Sequence, residues 1–261
     1  MANMPKIGYL DIETAPKLAY VWQFFKANIG VKQVREHGHI MSFSWIWNDD
    51  NDDKVIYYEN RTQDDVDITA KLLALLDEAD VVIGQNSDRF DLPTINGRAL
   101  VAGLKPPSPY KTVDTCLVAR KEFGFPSNSL EYLTTVLKTK HRKLTHAKYP
   151  GFELWLACMQ GDEEAWKEMR EYNIVDTLSV RDVYKAMRPW VRNHANLAVH
   201  IESDEHVCPK CGSDRLHRRG YAYTNVGKYI RFQCTDCGGW SRTRYTEYPK
   251  EKAKSLLTNA V

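Results

Sequence analysis

Apolar residues alternate with polar ones, or form short unbroken runs, at several places in the first half of the chain. This pattern predicts strands at Lys6–Ile12, His39–Trp47, Lys54–Glu59, Val81–Ile83 and Thr112–Asp114. Elsewhere the apolar residues recur every three or four positions, which predicts amphipathic helices. The predicted helices are Asp64–Glu78, Leu92–Gly103, Thr115–Phe123, Ser129–Lys138, Phe152–Gln160 and Asp162 to about Ala186. Strands followed by mixed strands and helices predict one α/β domain over residues 1–192.

The rest of the chain lacks this periodicity. Residues 193–205 are polar and are predicted to form a linker, and residues 206–261 contain too few apolar positions to build a core without a cross-link. Two Cys-x-x-Cys pairs, Cys208 with Cys211 and Cys234 with Cys237, are separated by 22 residues, which is compatible with an intervening β-hairpin. Four thiolates in this pattern resemble a zinc ribbon and favour one structural Zn²⁺ over a redox pair. Cys116 and Cys158 are expected to be buried thiols.

Two carboxylates interrupt the first predicted strand, at Asp11 and Glu13. Side chains two residues apart on a strand point to the same face, so these two would repel each other unless a cation lies between them. The apolar neighbours Leu10 and Ile12 favour burial over the alternative, a surface strand with solvated acids. If further acidic residues lie nearby in space, they form an oxygen-rich site suited to Mg²⁺ or Mn²⁺.

Three short motifs carry a family resemblance. Asp11-Ile12-Glu13 lies in a strand, Asn86 through Phe90-Asp91 follows a buried strand, and Tyr172 precedes Asp176 by four residues on one helical face. In this order they resemble the motifs of the DEDD 3′–5′ exonucleases, which include polymerase proofreading domains. The histidine branch has a histidine five residues before the last aspartate, where this chain has Glu171. The chain is therefore similar to the tyrosine (DEDDy) branch, and its layout is similar to stand-alone exonucleases of phage or bacterial replication and repair.

The resemblance implies a ribonuclease H-like fold, with a mixed central sheet flanked by helices. It also implies that two Mg²⁺ or Mn²⁺ ions, bound by Asp11, Glu13, Asp91 and Asp176, promote phosphodiester hydrolysis at the 3′ end of nucleic acid, with single-stranded DNA favoured. Tyr172 would be neutral, because a tyrosine has an intrinsic pKa of about 10, and would orient the attacking water. A catalytically silent nucleic-acid-binding protein and a structure-specific endonuclease of the same fold remain alternatives.

Two other acidic residues near the second motif have competing interpretations. Asp88 is a rival to Asp91 as a ligand, but we favour a helix cap or a loop acid. Asp114 either supports the site from behind the ligands or caps the following helix.

Basic residues concentrate in the C-terminal part. The whole chain has a net charge of +2, yet residues from His206 onward carry 11 basic and 4 acidic side chains. Basic and aromatic residues alternate there, which favours contacts with single-stranded nucleic acid over the alternative, docking to a replication protein. A second basic cluster, Lys138–Lys143, either contacts phosphates or is a solvated loop. The candidate nucleic-acid contacts are Thr14, Asn86, Lys143, Arg218, Arg219, Tyr221, Arg231 and Trp240.

No apolar run approaches the roughly 20 residues that a membrane span requires. The N-terminus lacks a secretory pattern and leads directly into a predicted strand. These features predict a cytoplasmic protein, in the host cytoplasm if it is phage-encoded, that has no membrane partner.

Overall fold

A computed structural model of the chain describes residues 4–142 and 148–258. The chain divides into two compact units. The first is Lys6–Tyr184, and the second joins Lys185 and the chain that follows it to the N-terminal residues before Lys6. Each unit is described separately below.

The first unit is built on a five-stranded mixed sheet, counted over the described residues, with the order β5-β4-β1-β6-β7. The central strand β1 pairs antiparallel with β4 and parallel with β6. A separate short ribbon, β2 with β3, lies between β1 and β4 in the chain. The strands of this unit are β1 (Ile7–Thr14), β2 (Leu18–Ala19), β3 (Val34–Glu36), β4 (Ile40–Trp47), β5 (Ile56–Glu59), β6 (Val81–Gly84) and β7 (Lys111–Asp114).

Helices pack on the sheet and confirm the predicted α/β class. Each predicted strand and helix of this unit is present, with ends that differ from the prediction by a few residues. The pair β2 and β3 was not predicted. The helices are α1 (Val66–Glu78), α2 (Asp91–Val101), α3 (Thr115–Glu122), α4 (Leu130–Val136), α5 (Glu153–Met159) and α6 (Glu163–Met187).

The two faces of β1 have different environments. Leu10 and Ile12 point into the main apolar core, where they join Leu72 and Leu76 of α1. Burying each such side chain stabilises the fold by about 1.5–3 kcal/mol. Tyr9 lies on the opposite face and packs edge-on against Tyr184 of α6, with ring centroids 5.8 Å apart. Asp11 and Glu13 follow Tyr9 in the two-residue alternation, so the strand directs them toward the side covered by α6.

The second unit contains a three-stranded antiparallel sheet in the order β10-β9-β8. Its strands are β8 (Leu216–Tyr223), β9 (Lys228–Cys234) and β10 (Trp240–Arg242), and the helix α7 (Lys250–Ser255) follows them. The β8–β9 hairpin lies between the two Cys-x-x-Cys pairs, as their spacing allows. Among the described helices of both units, none combines the length and the apolar character that a membrane crossing needs.

Candidate metal-binding active site

The loop that carries the second motif is shaped by backbone geometry. Strand β6 ends at Gly84, where a Cβ atom would lie only 2.7 Å from Ser87 Oγ, so glycine is required for the close approach. Asn86 then adopts a left-handed conformation, with φ of 59°. The Asp114 carboxylate braces the loop by accepting hydrogen bonds from the Asn86 and Asp88 backbone N–H groups, at 2.9 and 3.2 Å. These contacts place Asp91 at the first turn of α2.

Asp114 fits both of the interpretations that the sequence left open. Its carboxylate caps α3 by accepting from the backbone N–H groups of Cys116 and Leu117, at 2.8 and 3.1 Å. The same carboxylate holds the loop before Asp91. Asp88, in contrast, is exposed, and its own side chain does not line the cavity described next.

One cavity of about 560 Å³ is lined by all five residues of the three motifs, Asp11, Glu13, Asp91, Tyr172 and Asp176. Carboxylate oxygens of Asp11, Glu13 and Asp176 lie within 4.8 Å of one another. Asp91 lines the same cavity, and its Oδ1 accepts a hydrogen bond of 3.1 Å from the backbone N–H of Ile12, between the two acidic residues of β1. The fold therefore brings together side chains that are up to 165 positions apart in the sequence.

This donor set fits a small divalent cation. Mg²⁺ binds oxygen ligands at about 2.1 Å, so two oxygens on the same ion are at most about 4.2 Å apart. Carboxylate oxygens that lie within 4.8 Å of one another can converge on such an ion with small adjustments, and carboxylates this close repel one another unless a cation neutralises them. Hard carboxylate oxygens are also the ligands that Mg²⁺ and Mn²⁺ prefer.

Asp91 shows the electrostatic cost of this arrangement. Burial raises the pKa of Asp91 to about 7, the Ile12 N–H opposes this effect, and the nearby Asp114 adds to it. A carboxyl group with this pKa is about half protonated at neutral pH unless a cation competes with the proton. Only 3% of Asp91 is exposed, and a divalent cation bound in the cavity would offset the cost of burying this carboxylate.

Asn173 orients Asp11. Its Nδ2 donates to Asp11 Oδ2 at 2.6 Å and, more weakly, to the Asp11 backbone carbonyl at 3.2 Å. Asn173 is itself fixed by β4, because Ser42 Oγ donates to its Oδ1 and Ser44 Oγ donates to its carbonyl. Asn173 is fully buried, and these contacts link α6 to both β1 and β4.

Trp155 of α5 performs a similar role for Glu13. The indole Nε1 donates to Glu13 Oε2 at 3.0 Å. The same ring packs edge-on against Tyr172, with centroids 5.8 Å apart and an interplanar angle of 82°. One aromatic side chain thus contacts both a carboxylate and the tyrosine of the cavity. No signal in the sequence connected α5 to β1, and this contact was missed.

The candidate nucleic-acid contacts of this unit have different positions. Asn86 lines the cavity, and Thr14 lines a neighbouring groove. Lys143 lies outside the described residues. Arg120 of α3, which the sequence interpretation did not consider, is exposed and lines the cavity, where a guanidinium could contact phosphate.

The second candidate metal site is the cluster of Cys208, Cys211, Cys234 and Cys237. The sulfurs of Cys208 and Cys237 are 3.7 Å apart, and those of Cys211 and Cys234 are 3.6 Å apart. Tetrahedral Zn²⁺ with Zn–S bonds of about 2.3 Å requires sulfur–sulfur separations of about 3.8 Å, so the cluster fits this ion. A hydrogen bond from the Cys211 thiol lowers the pKa of Cys208 to about 5, which favours thiolate at that position.

Glycines permit the turns around these sulfurs. Gly212 and Gly238 each follow the second cysteine of a pair and have φ values of 76° and 75°. The next N–H after Gly238, that of Gly239, donates to Cys237 Sγ at 3.4 Å. The two remaining cysteines, Cys116 and Cys158, are buried and unbridged as predicted.

The predicted contact residues of the second unit pair cations with aromatic rings. The Arg218 and Lys228 side chains lie over the Tyr221 ring, and the Arg231 guanidinium lies 4.9 Å from the Trp240 ring centroid. Arg219 is exposed on the same hairpin, and its Nε donates to Gln233 Oε1 at 3.4 Å. The hairpin therefore presents guanidinium groups and aromatic faces together.

Comparisons with known proteins agree with this architecture. A search among curated proteins found no match. Among solved structures, the fold is similar to that of the family B DNA polymerase from the hyperthermophilic archaeon Pyrobaculum calidifontis, with a TM-score of 0.51 and 14% sequence identity. The similarity covers 85% of this chain but only 31% of the polymerase chain.

A family comparison is more informative. The sequence model of the RNase_H superfamily matches residues 29–188. This range includes Asp91, Tyr172 and Asp176 and begins after Asp11 and Glu13, which the fold places in the same cavity. Since the match covers more than half of the sequence, the chain belongs to the RNase_H superfamily.

Proposed function

We propose that the chain is a metal-dependent 3′–5′ exonuclease of the DEDDy type, acting on nucleic acid and favouring single-stranded DNA. Membership in the RNase_H superfamily supports a nuclease in general. The observation that carries the finer proposal is the single cavity that holds Asp11, Glu13, Asp91, Asp176 and Tyr172. A cavity of about 560 Å³ is large enough for a terminal nucleotide, within the usual range of small-ligand sites.

In this proposal, Asp11, Glu13, Asp91 and Asp176 hold two Mg²⁺ or Mn²⁺ ions. Such a pair, when bound, activates water and stabilises the leaving 3′ oxygen. Asn173 and Trp155 fix the orientations of Asp11 and Glu13 by the hydrogen bonds described above. Tyr172 orients the attacking water, and the edge contact with Trp155 holds its ring in place.

The cysteine cluster of the second unit is proposed to bind one structural Zn²⁺ as a zinc ribbon. Such a site stabilises a small hairpin that lacks a large core. We propose that its Arg and aromatic side chains contact nucleic acid, with docking to a replication protein as the second candidate. Reduced, unbridged cysteines fit action in the cytoplasm, in replication or repair.

The test is a time course on single-stranded DNA, labelled at the 3′ or the 5′ end, with Mg²⁺ or Mn²⁺. The expected result is immediate release of the label as a mononucleotide from the 3′-labelled strand, and progressive shortening of the 5′-labelled strand. Asp11→Asn and Asp176→Asn should each lower the rate by at least about 100-fold, because each removes a ligand charge. Asp88→Asn is the matched control, since Asp88 is exposed and lies outside the cavity lining.

Other outcomes exclude the proposal in specific ways. Internal cuts in both strands would indicate an endonuclease. Binding without cleavage at any metal concentration would indicate a silent nucleic-acid-binding protein. Full activity in Asp11→Asn would show that the cavity is not the catalytic site.

A further inference from the structure

The segment that connects β1 to β4 exposes an unusual amount of aromatic surface. We call residues 17–36, which include β2 and β3, the flap. Trp22, Phe24 and Phe25 are 98%, 92% and 86% exposed. Tyr20 and Val31 in the same segment are also largely exposed. Single exposed apolar residues are common, but several large ones within one short segment indicate a surface that binds something.

The charges of the flap indicate what it binds. The flap contains Lys17, Lys26, Lys32 and Arg35, and its one acidic residue is Glu36, at its last position. The Arg35 guanidinium lies 4.8 Å from the centroid of the Tyr20 ring. Alternating cations and flat aromatic side chains suit a single-stranded nucleic acid, whose phosphates pair with the cations and whose bases stack on the rings.

The flap also has a recess whose size suits a nucleotide. It has a volume of about 470 Å³, and its lining includes Trp22, Lys32 and Arg35. A recess with an aromatic wall and two cationic side chains matches the chemistry of a nucleotide, which combines an apolar base with an anionic phosphate.

The position of the flap connects it to the candidate active site. The flap continues directly from β1, which carries Asp11 and Glu13. Lys17, at its base, lines a groove of about 660 Å³ together with Thr14 and Phe90. Phe90 lines both this groove and the cavity of the acidic residues. A strand whose end lies in the cavity can therefore pass Phe90 and follow the groove toward the flap.

We propose that the flap binds the single-stranded part of the substrate, several nucleotides from the end that is cleaved. Bases stack on Trp22, Phe24 and Phe25, and the flap cations contact phosphates. This inference rests on the proposed exonuclease function for the position of the cleaved end, but the binding itself does not require catalysis. A protein partner, a second copy of the chain or an anionic membrane are the competing occupants.

The test uses the full-length chain carrying Asp11→Asn, which prevents cleavage. Binding of a fluorescein-labelled 12-nucleotide oligothymidylate is measured by anisotropy over a salt series. Trp22→Ala with Phe24→Ala should weaken binding at least about 10-fold, as expected for the loss of base stacking. Lys26→Gln with Lys32→Gln should reduce the dependence of binding on salt concentration. Trp190→Ala, at an exposed tryptophan outside the flap, is the matched control and should bind as the parent does.

A second measurement separates the flap from the catalytic site. In the otherwise unchanged chain, the Trp22→Ala, Phe24→Ala variant should cleave a dinucleotide at the normal rate, since that substrate is too short to reach the flap. Cleavage of the 12-nucleotide strand at limiting concentration should fall about 10-fold. The altered side chains are exposed, so the melting temperature should be unchanged.

The outcomes distinguish the two proposals. If the unsubstituted chain cleaves no strand but oligonucleotide binding depends on the flap, the exonuclease proposal fails and the flap proposal holds. If the chain cleaves 3′ ends and the flap variants bind and cleave the long strand normally, the flap proposal is wrong. It is also wrong if the flap substitutions abolish only cosedimentation with phosphatidylglycerol vesicles, or only self-association in sedimentation velocity.

Discussion

Trp155 allows a quantitative test of how the candidate metal site is held. Its indole donates to Glu13 Oε2 at 3.0 Å, and its ring packs against Tyr172. Trp155→Phe removes the donor and keeps a ring that can maintain the aromatic contact. A hydrogen bond to a charged group contributes about 1.5–3 kcal/mol. Because Trp155 is half-buried, water replaces part of this contribution, and we expect a loss near the lower limit.

Losing about 1.4 kcal/mol of the interaction that orients Glu13 corresponds to roughly a 10-fold lower metal affinity. This is the lower end of the effects seen for groups that hydrogen-bond to metal ligands. The Mg²⁺ or Mn²⁺ concentration that gives half-maximal nuclease activity should therefore rise about 10-fold. The rate at saturating metal should change little. The rise in melting temperature with added Mn²⁺ gives the same information without a substrate.

Trp166→Phe is the matched control for this change. Trp166 Nε1 donates to the Cys158 carbonyl at 3.0 Å in a buried contact between α6 and α5, with no contact to Glu13 described. Its loss should lower stability by about 1 kcal/mol and leave the metal dependence unchanged. The reasoning is refuted if Trp155→Phe leaves the metal dependence unchanged, or if both variants shift it equally.

Two further predictions concern the zinc cluster and an ion-pair network. The four clustered sulfurs should hold one zinc ion per chain, and Cys234→Ser should reduce the zinc content measured by mass spectrometry and destabilise the β8–β9 hairpin; an unchanged zinc content would contradict the assignment. The second prediction concerns Asp52, whose pKa is held at about 2 by hydrogen bonds from Lys140 and Arg181. Because the pKa of Asp52 in the folded state lies below its value of about 3.9 in the unfolded chain, the carboxylate contributes stability above about pH 4 that is lost as the pH falls toward 2. Asp52→Asn should therefore flatten the decrease in unfolding free energy between pH 4 and 2, measured by urea denaturation; an unchanged slope would contradict this reasoning.

The sheet and its helices could be predicted from the sequence because their apolar residues follow a regular pattern. Helices show it over several turns, and strands show it over several residues. The β6 strand, for example, is a fully buried run that ends at a glycine. The ribbon of β2 and β3 was missed because strands of two and three residues are too short to show a period. The aromatic residues between these two strands, Tyr20, Trp22, Phe24 and Phe25, are exposed, whereas sequence patterns treat aromatic side chains as core.

The candidate site could also be predicted only in part from the sequence. The motif residues could be assembled from their order and spacing. Asn173 lies three residues before Asp176, and helical spacing places these two residues on the same side of α6. The sequence therefore contained a signal that Asn173 lies near the acidic residues. Trp155 gave no such signal, because a long-range contact between α5 and β1 depends on how the helix packs.

Three of the hydrogen bonds that orient the acidic residues share one chemical property. An amide of Asn173, an indole of Trp155 and a backbone N–H of Ile12 donate to Asp11, Glu13 and Asp91 respectively. Each of these donors is neutral. A neutral donor fixes a carboxylate without cancelling its charge, whereas a lysine or arginine at the same place would compete with a metal cation for it. These three donors leave the charge of the carboxylates they contact available to a divalent ion, and the cost of the site is the burial that raises the pKa of Asp91. That cost is physically sensible if the folded protein regains the energy when it binds the cation, which is why metal dependence of stability is as direct a test of the site as metal dependence of cleavage.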